Sequence, residues 1–294
     1  MGTSAQAISG AAPELATSRK ARRRAEGAFA LALLSPALTI IGLLFVLPLL
    51  LLAFISFKAV KLGSLTQIFS ADVTWANYAS VLSDPATWSS LLVSIYYVVG
   101  SSLLAFVLGL WSALLLNEKF PAQRLFRTLI LLPWAVPGIT ATIAFLWMLQ
   151  PTFGVVNFVL RELGLISHDV EWFGDPNLAL FAVIMPTVWK TYPFFTIMLL
   201  AALQTIPREL YEAASIDGAG RWDRFRWITW PGIRPYAAIA LLFNAMHVFR
   251  EFDFIYASTH GGPRGATTTI AIRIYNVAFE SFNLASAAAL GILT

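Results

Sequence analysis

The chain contains no cysteine, and only 12% of its 294 residues are charged. Without cysteine there are no disulfides, no thiolate nucleophile and no Cys-based metal centre. The three histidines, His168, His247 and His260, have no metal-ligand spacing, and the zinc-protease pattern HExxH is missing. There is no glycine-rich phosphate loop ending in Gly-Lys-Ser or Gly-Lys-Thr, so ATP hydrolysis by the usual phosphate-loop chemistry is excluded. A nucleophile elbow of the GxSxG type is also absent. We therefore assign no catalytic residue and no metal ligand. A soluble domain carries roughly 25% charge, about twice what is present here, so this surface does not face water.

What the chain has instead is apolar length. Hydrophobic residues make up 58%, and residues 27–57, 85–117 and 128–160 are charge-free runs of 31, 33 and 33 residues. Each exceeds the roughly 20 residues with which a helix spans a bilayer. Their lack of period-two alternation excludes barrel strands. The fold class is all-α, a polytopic helical membrane protein with about six transmembrane helices. We place the spans near Ala28–Phe57, Trp88–Leu116, Leu125–Gln150, Leu178–Leu203, Tyr236–Ala257 and from Leu284 onward. The first is too long for a signal-peptide core and has no cleavage site, so it reads as a retained anchor. The last stops at Thr294 after about 11 residues, short of a crossing, and is expected to continue for about another half-span. The domain reading is a basic tail over 1–27 and a transmembrane domain over 28–294.

The net charge of +4 comes with a distribution that points to membrane topology and away from nucleic acid. Arg19, Lys20, Arg22, Arg23 and Arg24 directly precede the first span. With the N-terminus inside, the inner segments hold 13 Lys and Arg against 5 in the outer loops 58–87, 151–177 and 258–283. Lys190 and Arg250 remain within spans. This bias places both termini in the cytoplasm. Trp75, Tyr78, Trp88, Trp147 and Trp172 fit interfacial anchors, and Pro133, Pro137, Pro186 and Pro193 fit kinks in membrane helices.

The inner segment 205–235 is the most informative. Pro207 followed by Glu209 and Glu212 suits a helix N-terminus. Leu210, Ala213 and Ala214 form a small apolar stripe, and Asp217-Gly218 is a stop with glycine in the left-handed cap. A second short helix carries Trp222, Phe225, Trp227 and Ile228 among Arg221, Arg224 and Arg226, and Pro231 and Pro235 are expected to end it. Such an ordered, half-apolar pair lies on the inner leaflet or docks on a cytosolic partner.

The stretch EAASIDGAGRWDRFRWITWPGIRP, residues 212–235, resembles the EAA loop of permease subunits in binding-protein-dependent ABC importers. Glu212, Ala213, Ala214, Asp217, Gly218, Ala219, Trp222, Phe225, Ile228, Pro231 and Pro235 fall in register with it. In that family the loop is a coupling helix seated in a cleft of the cytosolic ATPase. The resemblance thus assigns ATPase coupling to Glu212, Ala213, Ala214, Asp217, Gly218, Trp222 and Phe225, with Glu212 as the polar contact and Gly218 as the turn. Residues 249–279, FREFDFIYASTHGGPRGATTTIAIRIYNVAF, resemble the pattern FxxFDxIYxLTxGGPxxxTxxLxxxIYxxAF of sugar and glycerol-phosphate permeases. LPWAVPGITATIAFLWML with Gly154 and Asn157 resembles that family's third span. The resemblance covers most of 30–294 and extends to importers of disaccharides such as maltose or trehalose, including actinobacterial ones, although no motif here is specific to trehalose.

What the resemblance implies is the type I importer permease fold in a bacterial cytoplasmic membrane, working by alternating access. The partners are a second homologous permease, two ATP-binding cassette ATPases and an external solute-binding protein docking on the outer loops, including the Gly261–Pro263 turn. The chain needs no cofactor of its own, since ATP and Mg are held by the ATPases. For the solute pathway, Asn244, His247 and Glu251 at spacing 0, 3 and 7 offer hydrogen-bonding groups on one face of the fifth span. Lys190 and Tyr192, between Pro186 and Pro193, are a second pathway candidate, with a lysine that satisfies kinked backbone as the alternative. Arg250 and Asp253, three apart, are expected to pair on one helix face, with Asp253 also a pathway candidate. A rival from another class is a secondary transporter using Glu251, Asp253 and Lys190 as an ion or proton relay, but no inverted repeat accompanies them. A membrane enzyme or scaffold is the remaining rival.

Overall fold

The computed structural model describes residues 26–27, 29–60 and 68–294. The basic cluster from Arg19 to Arg24, Ala28 and Lys61 lie outside the described residues. Within them the chain is all helix apart from one isolated antiparallel bridge between Lys58 and Val73. The elements are α1 (Phe29–Ser56), α2 (Ala76–Ser83), α3 (Pro85–Asn117), α4 (Gln123–Ala135), α5 (Gly138–Met148), α6 (Val155–Glu162) and α7 (Ala179–Gln204). They continue with α8 (Arg208–Ile216), α9 (Arg221–Arg224), α10 (Trp230–Phe249), α11 (Asp253–Thr259), α12 (Ile270–Tyr275) and α13 (Leu284–Leu293). Among the described residues α1, α3 and α7 are long and apolar enough to cross a membrane, and α4 with α5 forms a fourth, bent unit.

The bundle centres on α3 against α7. Along α3 the buried positions are Ser90, Ser94, Tyr97, Ser101, Ala105, Gly109, Ser112 and Leu116, a stripe at helical spacing made mostly of small residues. Leu92, Ile95, Val99, Leu103, Val107, Leu108, Trp111 and Leu115 point outward. This inverts a soluble protein, and it is what lipid requires: large apolar groups outside, small ones where backbones approach. The approach is closest at Gly109, where an added Cβ would lie 2.4 Å from the Phe195 Cβ and 3.0 Å from the Tyr192 carbonyl. The Tyr97 hydroxyl is bonded to Thr187 across the same interface. α10 packs on both helices, completing a core that includes Val183, Phe195, Leu199, Ile233 and Val248. The Asp84 side chain caps α3 at the Ala86 amide, and Arg273 joins it in an ion pair.

Several expected boundaries shift. The third span is not one helix over Leu125–Gln150. It breaks between Ala135 and Gly138 with a bend of 95°. Val136 precedes Pro137, which disfavours helical geometry at Val136, and both residues are extended, with ψ of 131° and 140°. The fifth span begins at Trp230, earlier than Tyr236, and α10 ends at Phe249, so residues 250–252 separate it from α11. Pro231 and Pro235 do not end the second loop helix. A π-helical turn over Phe225–Thr229 carries α9 directly into α10, with the Trp230 amide bonded to the Phe225 carbonyl five residues back. Pro231 then stands in the first turn of α10, where its missing N–H costs little. The expected outer loops hold helices α2, α6 and α12, and α11 straddles the expected end of the fifth span. In the loop after α5, buried Asn157 donates to the carbonyls of Pro151 and Val170 and accepts from Trp172, so that tryptophan pins a loop.

Gly109→Val should destabilise the chain by about 1–3 kcal/mol through overpacking of α3 on α7. We expect a lower thermal midpoint of the detergent-solubilised protein. Val107→Ala on the outward face should leave it unchanged. An unaltered midpoint for Gly109→Val would contradict the close helix approach.

Candidate functional site: a helical loop and an intramembrane cavity

The first region is the helix pair of residues 205–235. Pro207 precedes α8, and Glu209 lies in its first turn. Asp217 caps its C-terminus, and Gly218 has φ +79°, the left-handed value that its place after Asp217 predicts. The Ala219 amide returns to the Ala214 carbonyl at 2.8 Å, closing the turn. Three contacts hold α8 and its lead-in against the continuous run from α9 into α10. The Tyr211 hydroxyl lies 3.0 Å from Thr229 Oγ1, Arg224 donates to the Ser215 hydroxyl at 3.1 Å, and Ile206 packs against Gly232, where an added Cβ would come within 2.7 Å.

The other face of this pair is bare. Glu212 and Ala213 are exposed, and Ala214 is half-buried. Ile216 is 87% exposed and Trp222 68%. Trp222 stacks on Phe225 with ring centroids 5.6 Å apart. A rigid helical surface with exposed aliphatic and aromatic groups beside a carboxylate is built to be covered by another surface.

The second region is a cavity of about 240 Å³ between α4, α7 and α10, lined by Trp134, Lys190, Thr191, Phe194, Phe243, Asn244 and His247. It brings together three of the six residues proposed for a solute path, Lys190, Asn244 and His247. Asn244 is buried and donates to Ser102 at 3.0 Å, which ties α10 to α3. The Lys190 Nζ donates to the backbone carbonyl of Val136 and, at 3.4 Å, to that of Trp134. The lysine thus satisfies kinked backbone as the alternative reading held, but in the third span across from its own helix. Tyr192 packs half-buried against the core and does not line the cavity.

Glu251 does not continue the face of Asn244 and His247. It lies beyond the end of α10, and its carboxylate accepts the Phe254 amide at 3.2 Å, opening α11. The same break separates Arg250 from Asp253. The expected pair does not form: Arg250 turns back to the Met246 carbonyl at 3.3 Å, and Asp253 is exposed in the first turn of α11. Trp134, Thr191, Phe194 and Phe243 were not singled out from the sequence. The signal for Trp134 was present in its position just before Val136-Pro137, the point where a helix must stop.

The third region unites both halves of the stretch 249–279. Phe252 stacks on Tyr256 (4.8 Å), and Tyr275 meets both Phe252 (5.1 Å) and Tyr256 (4.8 Å). Phe279 extends the cluster. In the connecting turn Thr267 is fully buried, bonding to Thr259 at 2.6 Å and to the Gly262 carbonyl at 2.7 Å. Gly261 has φ +89°, and an added Cβ would meet Thr268 Oγ1 at 2.8 Å, so glycine is required there.

Apolar helices, one pair of them sharply bent, thus surround a cavity lined by aromatic and polar groups, and a helical surface stands at the base of α10. Residues 105–294 match the family of binding-protein-dependent transport system inner membrane components, and the chain belongs to that family. It is 39% identical over 253 residues to the trehalose/maltose transport system permease protein MalF of Thermococcus litoralis, covering 83% of this chain and 84% of that one. The sulfoquinovosyl glycerol transport system permease protein SmoG of Agrobacterium fabrum is 38% identical over 269 residues, covering 90% and 84%. Among solved structures, a bacterial ABC transporter that imports the acidic polysaccharide alginate superposes with a TM-score of 0.78 over 94% of this chain and 92% of that one, at 24% identity, and so shares the fold. The chain is therefore a multi-pass membrane permease subunit and not an enzyme; ATP hydrolysis belongs to a separate subunit.

Gly218→Val forces a branched side chain into the left-handed region at about 1–2 kcal/mol. We expect faster proteolytic cleavage within 205–235. Gly218→Asn should be milder, because asparagine tolerates that conformation. Equal cleavage of all three proteins would show that the turn does not depend on Gly218.

Proposed function

We propose that this chain forms half of the translocation path of an ATP-driven sugar importer, carrying a disaccharide of the trehalose or maltose class into the cytoplasm by alternating access. The cavity carries this reading. Its amide, imidazole and ammonium groups beside Trp134, Phe194 and Phe243 supply the hydrogen bonds and stacking faces that a hydroxyl-rich ring needs. Relatives named for trehalose and maltose or for a sulfo-sugar glycoside support the substrate class. At about 240 Å³ the cavity is smaller than the roughly 300–1,000 Å³ of a complete ligand site. This supports a second, homologous permease supplying the other wall.

In this reading the 205–235 pair faces the cytoplasm, together with both termini, and one of two ATPases carrying ATP and Mg seats on it through Glu212, Ala213, Trp222 and their neighbours, the other on the loop of the second permease. A solute-binding protein docks at the opposite end, near the Gly261–Pro263 turn. The domain division at residue 28 and the inner position of the basic tail belong to the same proposal. The ion-coupled alternative loses its motivation, since Lys190 is held by carbonyls and Glu251 by the Phe254 amide.

The test is ATP-dependent uptake by the reconstituted complex, in proteoliposomes with its binding protein, across trehalose, maltose and sulfoquinovosyl glycerol. Uptake of none of them would overturn the sugar assignment. Uptake that persists with the ATPase phosphate loop disabled would overturn ATP coupling. Glu212→Lys should abolish ATPase co-purification while membrane insertion persists, and normal recruitment would remove the loop from coupling. His247→Ala should lower uptake severalfold at unchanged complex yield, and full transport would remove His247 from the path.

A further inference from the structure

We propose that Lys190 is a positioning residue that holds the elbow of the third span shut and thereby fixes Trp134 as a wall of the solute cavity. The inference rests on the importer reading for its solute half and on geometry alone for its clamp half. α4 ends at Ala135 on the exposed, apolar outside of the bundle, so its last carbonyls have no helical partner, and in lipid an unpaired carbonyl costs several kcal/mol. Pro137 has no N–H to offer them. Lys190 reaches across from α7 and donates to the carbonyls of Val136 and Trp134.

The match is mutual. A half-buried ammonium at membrane depth also needs compensation, and among the described residues no carboxylate forms an ion pair with Lys190. The negative end of the α4 dipole serves in its place. Two of the three donors on Nζ are spent on backbone, which makes Lys190 a strut of the cavity first and a solute ligand at most through the remaining donor. Trp134, 58% exposed, is the residue whose carbonyl the strut grips, and its indole lines the cavity beside Lys190. Lys190 sits between Pro186 and Pro193 of α7, so the strut joins the proline-bearing segment of one continuous helix to the break of another.

The test uses the full complex with its binding protein in proteoliposomes and trehalose as the probe, read as KM and kcat separately. Lys190→Met should raise KM roughly three- to tenfold, the loss of one aromatic stacking surface, with kcat changed less. Lys190→Arg should recover most of the loss, because a guanidinium also donates to carbonyls. Trp134→Ala should resemble Lys190→Met, and the double variant should be no worse than either, as two residues acting through one wall demand. Additive effects, an Arg variant as poor as Met, or an unchanged KM would each overturn the proposal. A second arm needs no transport. The chain has no cysteine, so Val136→Cys alone reports access to the elbow by a membrane-impermeant maleimide in detergent. Labelling should quicken severalfold when Lys190→Met is added, and equal rates would overturn the clamp. If the wild type imports neither trehalose, maltose nor sulfoquinovosyl glycerol, the sugar reading fails, and the labelling arm still decides the clamp; if it imports one of the other two, that sugar replaces trehalose as the probe.

Discussion

A helix that stops inside a bilayer must hand its bare carbonyls to something, and in this protein they go to a lysine. Much of the architecture follows from that exchange. The elbow at Val136-Pro137 turns α5 by 95° relative to α4, and α5 in turn packs on α11, which follows the second break at residues 250–252. Two interrupted helices therefore lie together, and the cavity opens beside the first of them. Non-helical backbone at membrane depth is tolerated only where protein or a water-filled cavity surrounds it. Here protein surrounds it, with the ammonium of Lys190 on the carbonyls and the polar groups of Asn244 and His247 across the cavity.

The rigid reference for these breaks is the α3–α7 pair. Its interface is formed by small residues and a few hydroxyl bonds, because in lipid close backbone approach replaces the hydrophobic drive. Ser101 and Thr191 return their hydroxyls to carbonyls one turn back, and neither exposes a polar group. Asn244 is the exception: it bonds across to Ser102 and ties α10 to the same scaffold. A residue read from the sequence as facing a solute is thus also a brace. The same duality holds for Lys190, which lines the cavity and also satisfies backbone carbonyls.

Hydropathy and charge made the spans and the helical loop legible, since both depend on sums over many residues. The turn at Gly218 was legible for a local reason: few residues but glycine accept that backbone. Pro137 was legible as a kink, but a full stop of the helix with a 95° turn was not. Leu125–Gln150 is uniformly apolar, and apolarity does not register that a residue before proline leaves the helical region. The error at residue 250 was one of phase. A 0, 3, 7 spacing is a face only while the helix persists, and α10 ends two residues before Glu251. The prolines at 231 and 235 misled in the opposite sense, because the π-helical turn over Phe225–Thr229 lets the helix run through them. The stripe of small residues on α3 was readable at a period of three to four, but it signals packing only once the chain is known to face lipid.

The π-helical turn has a mechanical consequence for the proposed cycle. It makes residues 221–225 and the cavity residues Asn244 and His247 parts of one continuous rod, since α10 alone runs about 30 Å at 1.5 Å per residue. Tyr211 and Arg224 lock α8 to the foot of that rod. A displacement imposed on the loop is then delivered to the cavity as a tilt of α10, with little lost to bending. Lys190 and Trp134 stand on the two elements facing this rod, α7 and α4. Changing access at the cavity requires α10 to move against them, and the strut is what keeps that opposing wall from following.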